Sequence, residues 1–429
     1  MPRKRQAPRK RPPSSDGDEL CERMENSSNV GTILMEQSLA MRGMFALLAP
    51  FVPPESARYP LAQRIIDSTT CETSGKTIVS WNVDSLRSGI IDEHGGGGKE
   101  WDNPTKHIST RIITTSSPLG QLITKTNPDV ICLQETKLQG KHIQVFDLEG
   151  FHTYWNSSTG QKGYSGVAIW SREEPIEVTY ELPGIDPVLQ NEGRIITAYY
   201  PGYAIVNTYV PNTLRAGTRP RGSWSRVKDG AKRQADYERY IGMRRGWDAA
   251  ILAHLERLRE EVENVIWCGD LNVARGLMDI HSGEMTRVKI AVEKAGRNAP
   301  SRVKDLTNRL RGAQSDMIYG GGAGLRLEER DGVENILDNG FYDAYRTLYP
   351  KSYGFTYWDR TKSHFRGANN GWRIDYFILT PELLPCVESV RVLKEIGEHT
   401  IPIKRAGRPT NQTALVGPSD HAPIVLKFF

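Results

Sequence analysis

The chain has 429 residues, 38% hydrophobic and 25% charged, and a formal net charge of +5. That fits a soluble globular protein of one large domain or two ordinary ones. No apolar run reaches the length of a membrane span. The charge is uneven: Arg3, Lys4, Arg5, Arg9, Lys10 and Arg11 precede the first acid, Asp16. Without those six cations the remainder sums to −1, which excludes a body that binds nucleic acid by global charge and leaves only local patches. The opening "PRKRQAPRKRPP" is too rich in proline for an amphipathic helix. It reads as a disordered basic tail serving nuclear import, or as a non-specific polyanion-binding arm. A mitochondrial presequence fits less well because the prolines break any helix. Residues 1–74 are expected to form a largely disordered extension; "MFALLAPFV" at 44–52 is too short to span and carries Pro50.

From Thr77 onward strand-like runs recur: "TIVSWNV", "PDVICLQET", "GVAIWS", "RIITAYY", "YAIVNTYV", "VIWCGDLNV", "RIDYFIL" and "APIVLKFF". Helical pattern falls near 109–126 and over about 235–260. No short-period repeat is present. Eight or more strands with few helices between them predict an α/β fold of two mixed β-sheets packed face to face, with helices outside: a four-layer sandwich over about 75–429. The five cysteines (Cys21, Cys71, Cys132, Cys268 and Cys386) show neither a CxxC pair nor zinc spacing. Cys132 and Cys268 sit in apolar runs and read as reduced core thiols.

The strand ends carry chemistry. "SWNVDSLR" ends in Asn82 and Asp84, "ICLQETK" in Glu135, "NTYVPN" in Tyr209 and Asn212, and "GDLNV" in Asp270 and Asn272. "GWRIDYF" places Asp375 in a strand, and "GPSDHAP" sets Asp420 beside His421. Any one of these could be a capping or turn residue; six such ends in one domain point elsewhere. A polar group at a buried strand end is costly unless something hydrogen-bonding or charged meets it. Hard oxygen donors without thiolates favour magnesium or manganese over zinc. A divalent cation with a His and an Asp is what hydrolysis of a phosphoester by activated water requires.

Taken in order, "SWNVDSLR", "ICLQETK", "GYSGVAI", "EGRII", "YVPN", "GDLNV", "GWRIDYF" and "SDHAPI" resemble the apurinic/apyrimidinic endonucleases of the exonuclease III type, within the endonuclease/exonuclease/phosphatase superfamily. The resemblance covers about 77–429, with insertions. It implies Asp84 and Glu135 as ligands of Mg2+ (or Mn2+), with Asn82 and Asp420 close by; Asp270 and Asn272 would meet metal as well as water and phosphate. It further implies that Asp375 orients His421 against the phosphate and that Asp270 positions or deprotonates the attacking water. Tyr209, Asn212 and Asn272 would donate to the phosphate or its transition state.

The same resemblance makes Tyr164 of "GYSG" a DNA contact, the alternative being a plain hairpin turn, and places Arg215 where an Arg enters the duplex. Tyr357, Trp372 and Ile374 fall where the family's pocket for the abasic sugar has its walls; otherwise they are ordinary core residues. Arg194 is expected to form a structural salt bridge. "GGGG" at 95–98 and "GGGAG" at 320–324 read as loops. Residues 213–245 carry ten Lys or Arg against three acids, and 284–312 are also basic. Both segments, and "HTIPIKRAGRPTNQTALV" before Gly417, exceed the compact family pattern.

The expected activity is cleavage of DNA 5′ to an abasic site, with 3′-phosphodiesterase or 3′-exonuclease activity in the same centre. The expected partners are double-stranded DNA with abasic sites or blocked 3′ ends and no membrane; the expected state is monomeric, in the nucleus with room for a mitochondrial pool. The alternatives are another phosphoesterase of the superfamily, acting on inositol phosphates, lipids or poly(A), or a non-catalytic DNA-binding or redox-signalling protein.

Overall fold

The computed structural model describes residues 73–87, 90, 116–143, 148–213, 230–281, 324, 327–362, 364–405 and 408–429. The basic tail, Arg215, the "GGGG" loop and all of the second basic segment lie outside the described residues. The strands in chain order are β1 (Thr77–Asn82), β2 (Val130–Gln134), β3 (His152–Asn156), β4 (Val167–Ser171), β5 (Glu177–Thr179), β6 (Ile195–Tyr200) and β7 (Tyr203–Tyr209). They continue as β8 (Asn264–Asp270), β9 (Tyr342–Asp343), β10 (Asp375–Leu379), β11 (Val387–Val392), β12 (His399–Arg405), β13 (Arg408–Val416) and β14 (Ile424–Phe428). Three helices of eight or more residues accompany them among the described residues: α1 (Pro118–Thr126), α2 (Gly230–Val262) and α3 (Leu327–Asp338).

Two six-stranded sheets form, in the orders β11-β14-β1-β2-β4-β3 and β5-β6-β7-β8-β10-β9, while β12 and β13 make a separate two-stranded ribbon. The β1–β2 and β7–β8 pairs are parallel; β14–β1 and β8–β10 are antiparallel. Ile78, Cys132, Ile169, Ile205, Ile266, Cys268, Phe377 and Leu426 fill the space between the sheets. Their strand neighbours Val79, Ile131 and Trp81 face outward under α1 with Leu119 and Leu122. On the other side Val206, Val265 and Trp267 pack with Trp247, Ile251, Leu255 and Leu258, one stripe of α2, and with Val333 and Ile336 of α3. Burial on both faces explains why "VIWC" is continuously apolar rather than alternating. All eight strand runs read from the sequence form strands, and the four-layer sandwich is the one expected. Cys132 and Cys268 are free and buried.

Helix α1 shows how local sequence sets an element boundary. Ser117 accepts from the Gly120 N–H at 3.1 Å, Pro118 supplies the first helical position, and Asn127 closes the end in the left-handed region at φ 42°.

One polar tie crosses the core directly below the polar strand ends. Gln134 of β2 donates to Asn207 Oδ1 of β7 at 2.7 Å and to Ser80 Oγ of β1 at 3.0 Å. Asn207 in turn donates to the carbonyls of Leu133 and Ala168. The tie orients the sheets because buried amides tolerate few alternative partners. Replacing Asn207 by Leu leaves Gln134 and two carbonyls short of a partner, at about 1–3 kcal/mol for the unsatisfied group. Thermal unfolding of Asn207→Leu should therefore show a lowered Tm; an unchanged Tm would mean the tie carries no stability.

Candidate active site

Parallel pairing brings the carboxyl ends of β1 and β2 side by side, and likewise those of β7 and β8, where open α/β sheets bind ligands. Register then sets the chemistry. Asn82 stands opposite Gln134, Tyr209 opposite Asp270, and Asp375 opposite Asp270. His421 enters three residues before β14, beside β1. Trp81 Nε1 donates to the His421 carbonyl at 3.3 Å, and Ser419 Oγ donates to the Asn82 carbonyl at 2.7 Å while accepting from the His421 N–H at 3.1 Å.

The centre of the site is a line of three groups from both sheets. His421 Nδ1 lies 2.8 Å from Asp375 Oδ2, and its Nε2 lies 3.8 Å from Asp270 Oδ2. All three are buried. Burial pulls the imidazole toward neutrality, but the Asp375 and Asp270 carboxylates outweigh it and raise its pKa to about 10. Burial also pushes Asp270 up, to about 7, with Asp375 adding to it and His421 opposing. Asn82 links this line to the other sheet by donating to Asp270 Oδ2 at 2.8 Å and Glu135 Oε1 at 3.2 Å. Its own Oδ1 accepts from the Asp84 N–H at 3.0 Å.

Asp84, Glu135 and Asn272 hold left-handed backbones, with φ of 45°, 52° and 51°. Such φ values are uncommon without glycine and gather at functional sites. They re-aim the polar side chain where each apolar strand run ends. Gly269 is needed for packing: at φ 130° an added Cβ would run into the Thr208 carbonyl.

Asp84 and Glu135 are joined by cations to which the sequence alone assigns no role. Lys137 Nζ lies 2.5 Å from Asp84 and 2.9 Å from Glu135. Burial lowers the Lys137 pKa, but those two carboxylates more than reverse it, so it is raised. Arg360 Nη1 meets the other oxygen of Asp84 at 2.7 Å, and its Nη2 donates to the Pro418 carbonyl at 2.5 Å. Burial first, with Asp84 and Glu135 adding, raises Asp420. Five carboxyl groups thus share the site with three cationic side chains, Lys137, Arg360 and His421. An all-oxygen donor set with an ammonium already drawn between two of its members fits a hard divalent cation. Asp270, Asp375 and His421 also lie close enough to group around an ion, within 4.8 Å.

The amide donors sit beside this line. Asn212 donates to Asn272 Oδ1 at 3.1 Å; Asn272 donates to the Val210 carbonyl at 2.9 Å and its N–H to Asp270 Oδ1 at 2.9 Å. Tyr209 is buried, with the Arg194 guanidinium 4.7 Å from its ring centre. Arg194 pairs with Glu192 at 2.6 Å, the structural salt bridge expected, and also donates to the Tyr164 hydroxyl at 2.8 Å. Tyr164 is half-buried.

Trp372 and Ile374 form a small apolar cluster with Ala274, Ile280 and Tyr357. The Tyr357 ring lies 5.0 Å from the His421 ring, so this cluster borders the imidazole. Arg373, between Trp372 and Ile374, anchors it from behind, 2.7 Å from both Asp279 and Asp343. Burial alone would raise the Asp343 carboxyl, but Arg373 and Arg275 hold it well below the usual range.

The family profile described as Endonuclease/Exonuclease/phosphatase family matches residues 79–421. The chain belongs to that family. Among its relatives, "DNA repair nuclease APEX1" of Danio rerio is 31% identical over 321 residues, 73% of this chain and 76% of the relative. The "DNA-(apurinic or apyrimidinic site) endonuclease" of Dictyostelium discoideum is 28% identical over 360 residues, 84% and 72%. The solved AP endonuclease LMAP from Leishmania major shares the fold at a TM-score of 0.52 and 19% identity, covering 86% of this chain and 98% of that one. The resemblance to exonuclease III-type enzymes drawn from the ordered motifs is borne out within the Endonuclease/Exonuclease/phosphatase family.

His421 yields the sharpest electrostatic expectation. A folded pKa above that of free imidazole means its stabilising contribution is complete below about 6.5 and is lost as pH rises toward the folded value. A histidine NMR titration should show one imidazole still protonated above pH 8, and Asp375→Asn should bring that titration down. An unshifted His421 resonance in the Asp375→Asn protein would contradict the pairing.

Proposed function

We propose that the chain hydrolyses the phosphodiester on the 5′ side of an abasic site in duplex DNA, with 3′-phosphodiesterase or 3′-exonuclease activity in the same centre. The observation that carries this is the line Asp375–His421–Asp270, joined by Asn82 to Glu135 and flanked by Asn212 and Asn272. The two titrating groups divide the work. Asp270, with a pKa near 7, suits the base that draws a proton from water at neutral pH. His421, charged up to about 10, faces the phosphate as a cation, and Asp375 fixes its ring. Asn212 and Asn272 aim neutral donors at the oxygens on which charge develops.

We infer magnesium, with manganese as its substitute, as the metal, held by Asp84 and Glu135 with Asn82 and Asp420 alongside. When bound it adds positive charge to the phosphate and eases attack. Lys137 and Arg360 keep the two carboxylates in place.

Selection of the lesion follows from the apolar cluster beside His421. A sugar without a base costs little to swing out of the stack, and a small apolar wall gives it room while refusing a base. Tyr357, Trp372 and Ile374 suit such a wall, and Tyr164, held by Arg194, suits a contact to the strand. Arg215 remains a proposed duplex contact on the strength of the motif resemblance alone. Nuclear import through the basic tail and a monomeric state complete the reading.

The test is a magnesium-dependent nicking assay on a duplex with one abasic site, beside intact duplex and poly(A). Cleavage confined to the 5′ side of the lesion is expected; equal cleavage of poly(A) would point to another phosphoesterase. His421→Asn and Asp270→Asn should each lower single-turnover cleavage by at least roughly 10²-fold while leaving duplex affinity nearly unchanged. Trp372→Ser should raise cleavage of intact DNA relative to abasic DNA. A large fall in Tm with an unaltered substrate ratio would make Trp372 core rather than wall.

A further inference from the structure

The ribbon of β12 and β13 pairs with neither large sheet. His399, Thr400, Ile401 and Pro402 on one leg and Gln412 and Thr413 on the other are exposed. Its register runs antiparallel from His399 opposite Val416 up to Arg405 opposite Arg408. The sequence is one-sided in charge: the 21 residues from 399 to 419 contain no Asp or Glu, whereas Lys404, Arg405 and Arg408 fall at the last register pairs, farthest from His399 and Val416. Its base is fixed to the catalytic turn by one buried guanidinium. Arg366 Nε pairs with Glu398 at 2.9 Å before the first leg, and its Nη1 donates to the Ser419 carbonyl at 3.1 Å after the second. Its Nη2 adds the Lys394 carbonyl at 2.8 Å, and the guanidinium stacks on Trp358. Leu415, Val416, Arg360, Lys362 and Asp420 line one shallow, open cleft, so the root of the ribbon and the catalytic carboxylate share a surface.

We propose that this ribbon is a second DNA-binding arm, which lays Lys404, Arg405 and Arg408 on the phosphates of the duplex flanking the lesion. The inference rests on the DNA reading of the centre. The major groove of B-DNA admits a two-stranded β-ribbon. A leg of seven residues at about 3.3 Å each extends roughly 20 Å, the span of about six base pairs at 3.4 Å. Lysine and proline on an exposed hairpin also guard against edge-to-edge pairing, which would account for Pro402, Pro409 and Lys404. It would not account for the absence of every acid over the whole ribbon, nor for the anchoring of both legs beside Asp420.

The experiment measures affinity of the full-length protein for a long abasic duplex in chelator across a salt series, for the parent and for K404Q/R405Q/R408Q. The triple variant should show a log–log salt slope lower by roughly 0.9 for each phosphate it no longer neutralises, with the single-turnover rate at saturating DNA kept. Shortening the duplex to about four base pairs beyond the lesion on one side should erase the difference. A second variant, with 400–415 replaced by a short Gly-rich turn, should match the triple variant. Equal slopes for parent and both variants on the long duplex would overturn the proposal and leave a hairpin whose charges only keep it soluble. If the parent failed to prefer abasic over intact duplex, the reading of the centre would fall, while a slope difference on intact duplex would still establish the arm.

Discussion

The hydrogen bonds of one amide, beside the His421–Asp375 pair, hold the two halves of the site in one piece. Asn82, at the end of a strand in one sheet, reaches Glu135 on its own side and Asp270 on the other. It is the point where the sandwich ceases to be two apolar layers and becomes a polar centre. Beneath it, Gln134 and Asn207 repeat the crossing inside the core. Above it, every polar strand end must find its partner in the opposite sheet, in a cation or in a ligand, since a buried carboxylate without one is prohibitively costly. The remaining geometry follows from that requirement: left-handed backbone at Asp84, Glu135 and Asn272, the imidazole between two carboxylates, and Lys137 and Arg360 drawn to Asp84.

The same constraint gives the site its reactivity. Carboxylates crowded in a poorly solvated space raise the proton affinity of whatever lies among them. Asp270 is thereby brought to a value useful for a base near neutrality, and His421 is kept cationic. Environments that push two titratable groups apart are how one fold assigns separate roles to them. Because the arrangement is built on strand ends and braced from behind by Arg373, Asp279 and Asp343, it is held before any substrate arrives. Catalysis by aimed charges depends on that preorganisation.

Much of this is legible in the sequence for a physical reason. Strands buried on both faces are continuously apolar, so a polar residue just past such a run stands out, as Asp84, Glu135 and Asp270 do. Strands with one solvated face or of two or three residues leave no such signal. β3, "HTYWN", has no fully buried residue, and β9 has only two residues; neither is visible in the pattern of runs. The ribbon registers only as an insertion, because its pairing is local and its neighbours do not bury it. Lys137 and Arg360 escape notice as partners of Asp84 for another reason: Arg360 lies 276 residues away in the chain, and only the folded sheet order brings them together. Gln134 and Asn207 are visible as polar letters inside strand runs, but their mutual hydrogen bond is a tertiary fact.

The central claim is that Asp270, His421 and the amides around them direct water onto a phosphorus atom. It is tested most directly by single-turnover cleavage of an abasic duplex in 18O-labelled water, followed by mass analysis of both fragments. The account predicts one 18O atom in the 5′-phosphate that carries the abasic sugar and an unlabelled 3′-hydroxyl on the other fragment. A break on the 3′ side of the lesion, with no label in either phosphate, would mean elimination rather than hydrolysis and would contradict it.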